Sequence, residues 1–262
     1  MNELQNILSV LRHPSEPSFD TIASMENGWQ ASADAWIADI GEHGDFSRRY
    51  VLDPVMLPRV LTRSPKEVLD VGCGEGRFCR MLRNHGVAAT GLDPTPALIA
   101  TARRRDPDGV YLEAEAQLLP FRDESFDLVV SYLSLIDIPD FQTAIQEMVR
   151  VLRPEGALLI ASLNSFNTAC GDTGWVKDSS GKRLFYPIDH YLQERAMWIE
   201  YRGIRILNHH RPMSAYMRAL LDEGLRLVYF DEPTPIADAP IEKAVNYRRV
   251  PWFFVMEWRK ST

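Results

Sequence analysis

At 262 residues, 45% of them hydrophobic, the chain can bury one sizeable core, and one domain with additions is expected. A net charge of −7 argues against a broad basic footprint for DNA or RNA and makes a small molecule the default partner, with no nucleic-acid partner expected. Cys73, Cys79 and Cys170 fit no zinc spacing and no stretch approaches the ~18 apolar residues of a membrane span, so a cytoplasmic protein with reduced thiols, no bound metal and no membrane partner is expected.

Met1 to Leu11 contains Glu3, Gln5 and Asn6 and lacks the basic start and continuous apolar run of a signal peptide. Residues up to about 27 are polar, with Pro14 and Pro17 breaking any long helix, and read as a poorly anchored helix and linker. From Asn27 to about Arg63 the pattern turns helical. Trp29, Ala33, Trp36, Ile37 and Ile40 share one spacing, and Val51, Met56, Leu57, Val60 and Leu61 share another after a break at Gly41 to Gly44.

The next stretch, Glu67 to Leu82, reads EVLDVGCGEGRFCRML, which predicts a strand, a turn and a helix. Val68, Leu69 and Val71 suit a buried parallel strand. Gly72, Gly74 and Gly76 permit a turn with positive φ and let a ligand lie on bare backbone. The helix that follows, with Phe78, Met81 and Leu82 at helical spacing, points its N-terminus at that ligand. Three details separate this turn from a dinucleotide fingerprint. The third glycine arrives one position early, with Arg77 where the fingerprint needs it. Asp70 ends the strand, where a carboxylate repels a pyrophosphate and suits a cationic ligand. Asp93 ends the next strand, Ala88 to Leu92, where it can accept both hydroxyls of a ribose. A nucleoside with a positive tail fits all three.

The stretch resembles motif I of the class I S-adenosylmethionine-dependent methyltransferases, and the resemblance runs from about Lys66 to Leu163 and again from about Pro212 to Arg259. It implies an α/β, Rossmann-like class I methyltransferase fold. The sheet would be seven-stranded and mostly parallel with one antiparallel strand. Residues 1–63 would form an N-terminal helical cap, 64–262 the methyltransferase domain, and 164–211 an insertion after the fifth strand. It implies S-adenosyl-L-methionine as cofactor and S-adenosyl-L-homocysteine as product, with Asp70, Gly72, Cys73, Gly74, Gly76, Asp93 and Pro94 as contacts. In many relatives such a cap folds over the methionine end of the cofactor, which makes Trp36, Arg49 and Tyr50 candidates for a lid.

Thr95 and Pro96 read as N-cap and first residue of a helix through Arg105, followed by a short strand, Val110 to Glu113. Aligning Leu119, Pro120 and Phe121 with the family's Leu-Pro-Phe puts Glu115 where an Asp usually accepts from the adenine amino group, with Ala116 beside the ring. Phe126 to Ser131 is the fourth strand, and its carboxyl end, Ser131 to Asp137, is expected to face the transferred methyl group. Two family patterns are absent. Ile136 and Asp137 stand where many relatives carry a His pair, and Ser131, Tyr132, Leu133 and Ser134 replace the motif of enzymes that methylate nucleic-acid bases.

Asp140 predicts the cap of a helix through Leu152, Arg153 to Gly156 a turn, and Ala157 to Ser162 the fifth strand. The insertion that follows is rich in aromatic residues, and Met197 to Tyr201 and Ile204 to Asn208 read as a hairpin that stands over the site. A helix Ser214 to Glu223, strands Leu225 to Phe230 and Trp252 to Trp258, and a Pro-rich connection Glu232 to Pro240 complete the sheet. The expected acceptor contacts are Trp36, Tyr50, Tyr132, Asn164, Tyr186 and Trp198. Should the acceptor need a base, His209, His210 and Asp137 are the candidates. The leading expectation is methyl transfer to N or O of a small-molecule acceptor. The alternatives are a degenerate fold that only binds and, less favoured, a nicotinamide-dependent reductase. The oligomeric state is not legible.

Overall fold

A computed structural model describes residues 27–171 and 174–261; the expected helix and linker before Asn27 lie outside the described residues. Helix α1 (Trp29–Ile40) is followed by a turn of π-helix (Arg48–Leu52) that runs into α2 (Asp53–Arg63). The doubly wound part then alternates β1 (Val68–Val71), α3 (Arg77–Asn84), β2 (Ala89–Asp93), α4 (Pro96–Arg105), β3 (Val110–Glu113), β4 (Phe126–Tyr132), α5 (Phe141–Val151) and β5 (Leu152–Leu163). The insertion contributes α6 (Ser165–Ala169), a small hairpin of β6 (Val176–Lys177) and β7 (Arg183–Phe185), and a longer one of β8 (Arg195–Tyr201) and β9 (Ile204–His210). Helix α7 (Met213–Asp222), β10 (Arg226–Asp231), α8 (Ile241–Tyr247) and β11 (Phe253–Arg259) close the chain.

Seven strands form one sheet in the order β10-β11-β5-β4-β1-β2-β3. The pairs from β5 to β3 are parallel and β11 is antiparallel to both of its neighbours, so one strand runs against the rest. Period-two alternation sorts the strand residues to two faces. Leu69, Val129, Leu158 and Phe254 pack against α5 and α7 through Ile145, Met148 and Leu220. Val68, Leu128, Leu159 and Val255 pack on the other face with Met56, Val60, Phe78 and Leu82 of α2 and α3. With helices on both faces, β1 is buried at all four positions, which is why it reads as a continuous apolar run broken only by Asp70.

Three local readings change. Arg153 to Gly156 is not a turn but part of β5, where a register shift between the Phe126–Leu152 and Leu128–Ala157 pairs absorbs the extra residues. Helix α8 follows the Pro-rich connection; only Ala244 of its seven residues is buried, so it carries no apolar stripe to detect. The insertion also holds α6 and the β6–β7 hairpin, whose exposed strand residues give no alternation.

Candidate functional site

The carboxyl ends of the parallel strands open into a cavity of about 350 Å³, within the range of small-molecule sites. Its floor is the set of turns after β1, β2, β3 and β4, which bring Asp70, Gly72, Cys73, Gly74, Asp93, Pro94, Glu115, Ala116 and Asp137 to one wall. The rest of its lining includes distant parts of the chain: Trp29 and Trp36 of α1, Tyr201 and Asn208 of the β8–β9 hairpin, and Tyr247 and Trp252 near β11.

The three glycines of the first turn are held at positive φ for different reasons. A Cβ at Gly72 would stand 2.2 Å from that of Ser134, and one at Gly76 would stand 2.6 Å from the Tyr111 ring, whereas a Cβ at Gly74 would meet nothing within 4 Å. Gly74 therefore faces open cavity, the place where a ligand can rest on backbone. Gly76 and Ser131 do not line the cavity. Ser131 is fully buried and its hydroxyl pairs with that of Ser134, which donates to the Val71 carbonyl.

Asp93 accepts the Gly74 N–H at 3.0 Å on one carboxylate oxygen and the Thr95 N–H at 2.9 Å on the other. It thereby joins the glycine turn to the start of α4, and each oxygen keeps a lone pair for a further donor. Burial raises its pKa, opposed by those two backbone bonds. Asp70 is 1% exposed. One of its oxygens accepts from the Cys79 thiol at 3.5 Å and the other is buried with no hydrogen-bond partner among the described residues. Burial pushes its pKa up to about 7 against the opposing Cys79 bond and Arg77 charge. An orphaned carboxylate oxygen here fits a ligand that brings a donor or a positive charge.

Asp137 lies in the loop after β4 and faces the cavity. Asn208 of β9 donates to it, and the side chain of Trp29 in α1 lies beside it and favours its ionised form. Burial pushes its pKa up to about 8, opposed by the Asn208 bond and reinforced by Asp93. A second polar group was foreseen only in Tyr132, which lines the cavity. Arg77 makes a two-pronged pair with Asp53 at 2.9 and 2.8 Å, and the Tyr132 hydroxyl donates to the same carboxylate at 2.8 Å, tying α2 to α3 and β4 at the cavity wall. The detectable signal was Arg77 itself, a cation in the first turn of a helix, where the macrodipole disfavours it. Arg48, likewise unforeseen, lines the cavity, stands 4.9 Å over the Trp36 ring and pairs with Asp45.

Several expected residues stand elsewhere. Neither His209 nor His210 lines the cavity. His210 is fully buried, its Nδ1 bonded to the Thr168 hydroxyl at 2.6 Å and its Nε2 to the Tyr191 carbonyl at 2.9 Å. Its ring has no free nitrogen. His209 is 7% exposed and donates its backbone N–H to Ile136. Burial lowers both imidazoles to about 4, so both are neutral at physiological pH. Asn164 caps α6 by accepting the Phe166 N–H and donates to Glu232. Tyr50 packs on Phe46, Tyr186 on Trp175 and Trp252, and Trp198 lies under the Arg205 guanidinium; none of the four is part of the lining. Among the described residues no cluster of His, Cys, Asp and Glu is arranged for a metal, and no helix is long and apolar enough to cross a membrane.

A methyltransferase-domain family model matches residues 69–160. Over 122 residues the sequence is 34% identical to malonyl-(acyl-carrier protein) O-methyltransferase of Enterobacter lignolyticus, which spans 47% of this chain and 48% of that protein. It is 37% identical over 125 residues to phthiotriol/phenolphthiotriol dimycocerosates methyltransferase of Mycobacterium leprae, spanning 46% of this chain and 45% of that one. The chain thus spans about half the length of these curated relatives. The crystal structure of an S-adenosylmethionine-dependent methyltransferase from Mesorhizobium loti superposes with a TM-score of 0.70 at 26% identity, covering 84% of this chain and 100% of that one.

Proposed function

We propose, for a chain that belongs to the class I S-adenosylmethionine-dependent methyltransferases, transfer of a methyl group to O or N of a small acceptor with an apolar body. The observation that carries this is the division of one cavity between an acidic floor, Asp70, Asp93 and Glu115, and an aromatic wall, Trp29, Trp36 and Trp252, with Asp137 among its lining. When bound, S-adenosylmethionine supplies a methyl group made electrophilic by the sulfonium.

The chain's own residues do the rest. Asp93 accepts ribose hydroxyls, Glu115 and Ala116 meet the base, and the open face of Gly74 and the free oxygen of Asp70 meet the polar tail. In this reading residues 27–63 and 164–211 form the cover, which excludes water and holds the acceptor in line. Asp137 takes the proton that an alcohol or ammonium acceptor must lose, and the two histidines drop out of that role. The named relatives are methyltransferases of malonyl-(acyl-carrier protein) and of phthiotriol/phenolphthiotriol dimycocerosates, and an acceptor carrying an apolar chain suits the aromatic walls here.

Calorimetry with S-adenosylhomocysteine, followed by a mass-spectrometric screen of lipid and polar metabolite extracts for products heavier by one methyl group, tests the proposal. Binding together with a methylated product supports it. Binding with no turnover of any extract points instead to a sensing module, and binding of NADH in place of S-adenosylhomocysteine overturns the reading altogether.

A further inference from the structure

Arg211 is 3% exposed and, among the described residues, forms no ion pair within 4.0 Å. A guanidinium taken out of water without a counter-charge is costly unless its donors are met. Here they are met by one loop. Nη1 donates to the Leu135 carbonyl at 2.9 Å, and Nη2 donates to those of Ile138 at 2.5 Å and Pro139 at 3.0 Å. The guanidinium also stands 4.3 Å over the Phe141 ring, the first residue of α5. The acceptors lie on both sides of Asp137 in the chain. The same stretch of insertion grips the loop twice more, through the His209 N–H to the Ile136 carbonyl and through Asn208 to Asp137 itself.

We propose that Arg211 is a positioning residue, which clamps the 135–139 loop from both flanks of Asp137 and holds that carboxyl aimed into the cavity. This rests on the reading of Asp137 as the proton-accepting group. A forked, planar cation suits the task because it reaches carbonyls in two directions at once, which an ammonium does not. It also sets the charge around Asp137. Burial and Asp93 hold the carboxyl protonated, while Asn208, the Trp29 side chain and the Arg211 charge favour its ionised form; Tyr201 faces it from β8. Removing Arg211 therefore loosens the loop and takes away the cation in the same step.

The test reads Asp137 directly and needs no acceptor. Protein labelled with ¹³C at aspartate carboxyls and saturated with S-adenosylhomocysteine is titrated by NMR, with Asp137→Asn assigning the resonance. Arg211→Gln is expected to move the Asp137 midpoint up, and Arg211→Lys, which keeps the charge but not the fork, to move it up by less. Affinity for S-adenosylhomocysteine should stay within about twofold, as for a change outside the ligand's contacts. A purely structural arginine would lower the melting temperature and leave the midpoint where it is. An unchanged midpoint in whichever variant folds overturns the proposal. Wild-type turnover in Asp137→Asn would remove the base role on which the proposal rests, a failure distinct from that of the clamp.

Discussion

Asp93 is a buried carboxylate at the end of β2 and Asp137 a half-buried one in the loop after β4, and their partners give them different work. Asp93 takes two backbone N–H groups, so its geometry survives only as long as the turn does. Asp93→Ala is expected to weaken S-adenosylhomocysteine binding by about 1.5 to 3 kcal/mol, the range for hydrogen bonds to a charged group; calorimetry on the folded variant showing wild-type affinity would refute the ribose role. Asp137 accepts a side-chain hydrogen bond from Asn208 of the β8–β9 hairpin, and burial pushes its pKa up to about 8. Turnover limited by proton removal then rises as pH is raised toward that value. Asp137→Asn should lower kcat by about a hundredfold or more and flatten the rise. A rise that persists in the variant would assign it to another group. The spacing of Asp70, Gly74 and Asp93 was legible because a backbone turn leaves its mark in consecutive residues. The histidines were misread because nothing in a His-His pair reveals the Thr168 hydroxyl and Tyr191 carbonyl that occupy His210.

At the scale of elements, α1 and the β8–β9 hairpin form a unit. The Ser32 hydroxyl donates to the Arg205 carbonyl and accepts the Arg205 N–H, and the Leu207 N–H donates to the Asn27 carbonyl. The approach is so close that a Cβ at Gly28, itself at φ 81°, would lie 2.2 Å from the Arg205 carbonyl oxygen. Gly28→Ala should therefore cost about 2 kcal/mol or more, from the left-handed backbone and the clash together. For a chain of this size that lowers Tm by about 4 to 8 °C. An unchanged Tm in a thermal melt would show that α1 is not docked there. The hairpin itself was readable as two runs, Met197 to Tyr201 and Ile204 to Asn208, joined at Arg202 and Gly203. Its partner was not, because the contact joins residues more than 170 positions apart, and sequence periodicity reports which face is apolar without saying what covers it.

For the whole molecule, buried ionisable groups oppose one another in the pH dependence of stability. His209 and His210 are lowered to about 4, so the unfolded chain binds more protons there below about pH 6.5, and stability falls as pH drops through that window. Asp70 and Asp137 are raised to about 7 and 8. The folded chain holds their protons longer, and stability falls as pH rises from the ordinary carboxylate range to those values. The two trends offset each other between about pH 4 and 6.5 and only the second remains above it. Tm of the free protein should stay level up to about pH 6 and decline toward pH 8; a rise over that upper interval would contradict the protonation of the two carboxyls. The sheet order has a consequence for synthesis. Strand β11 is made after β10 yet lies between β5 and β10, so a nascent chain that has emerged only as far as β10 carries a bare β5 edge and a strand with nothing to join. Trp252 and Phe253, which wall the cavity, arrive with β11. The growing polypeptide is thus exposed to wrong edge pairing until β11 has left the ribosome, and it completes its cavity wall and loses that hazard in a single step.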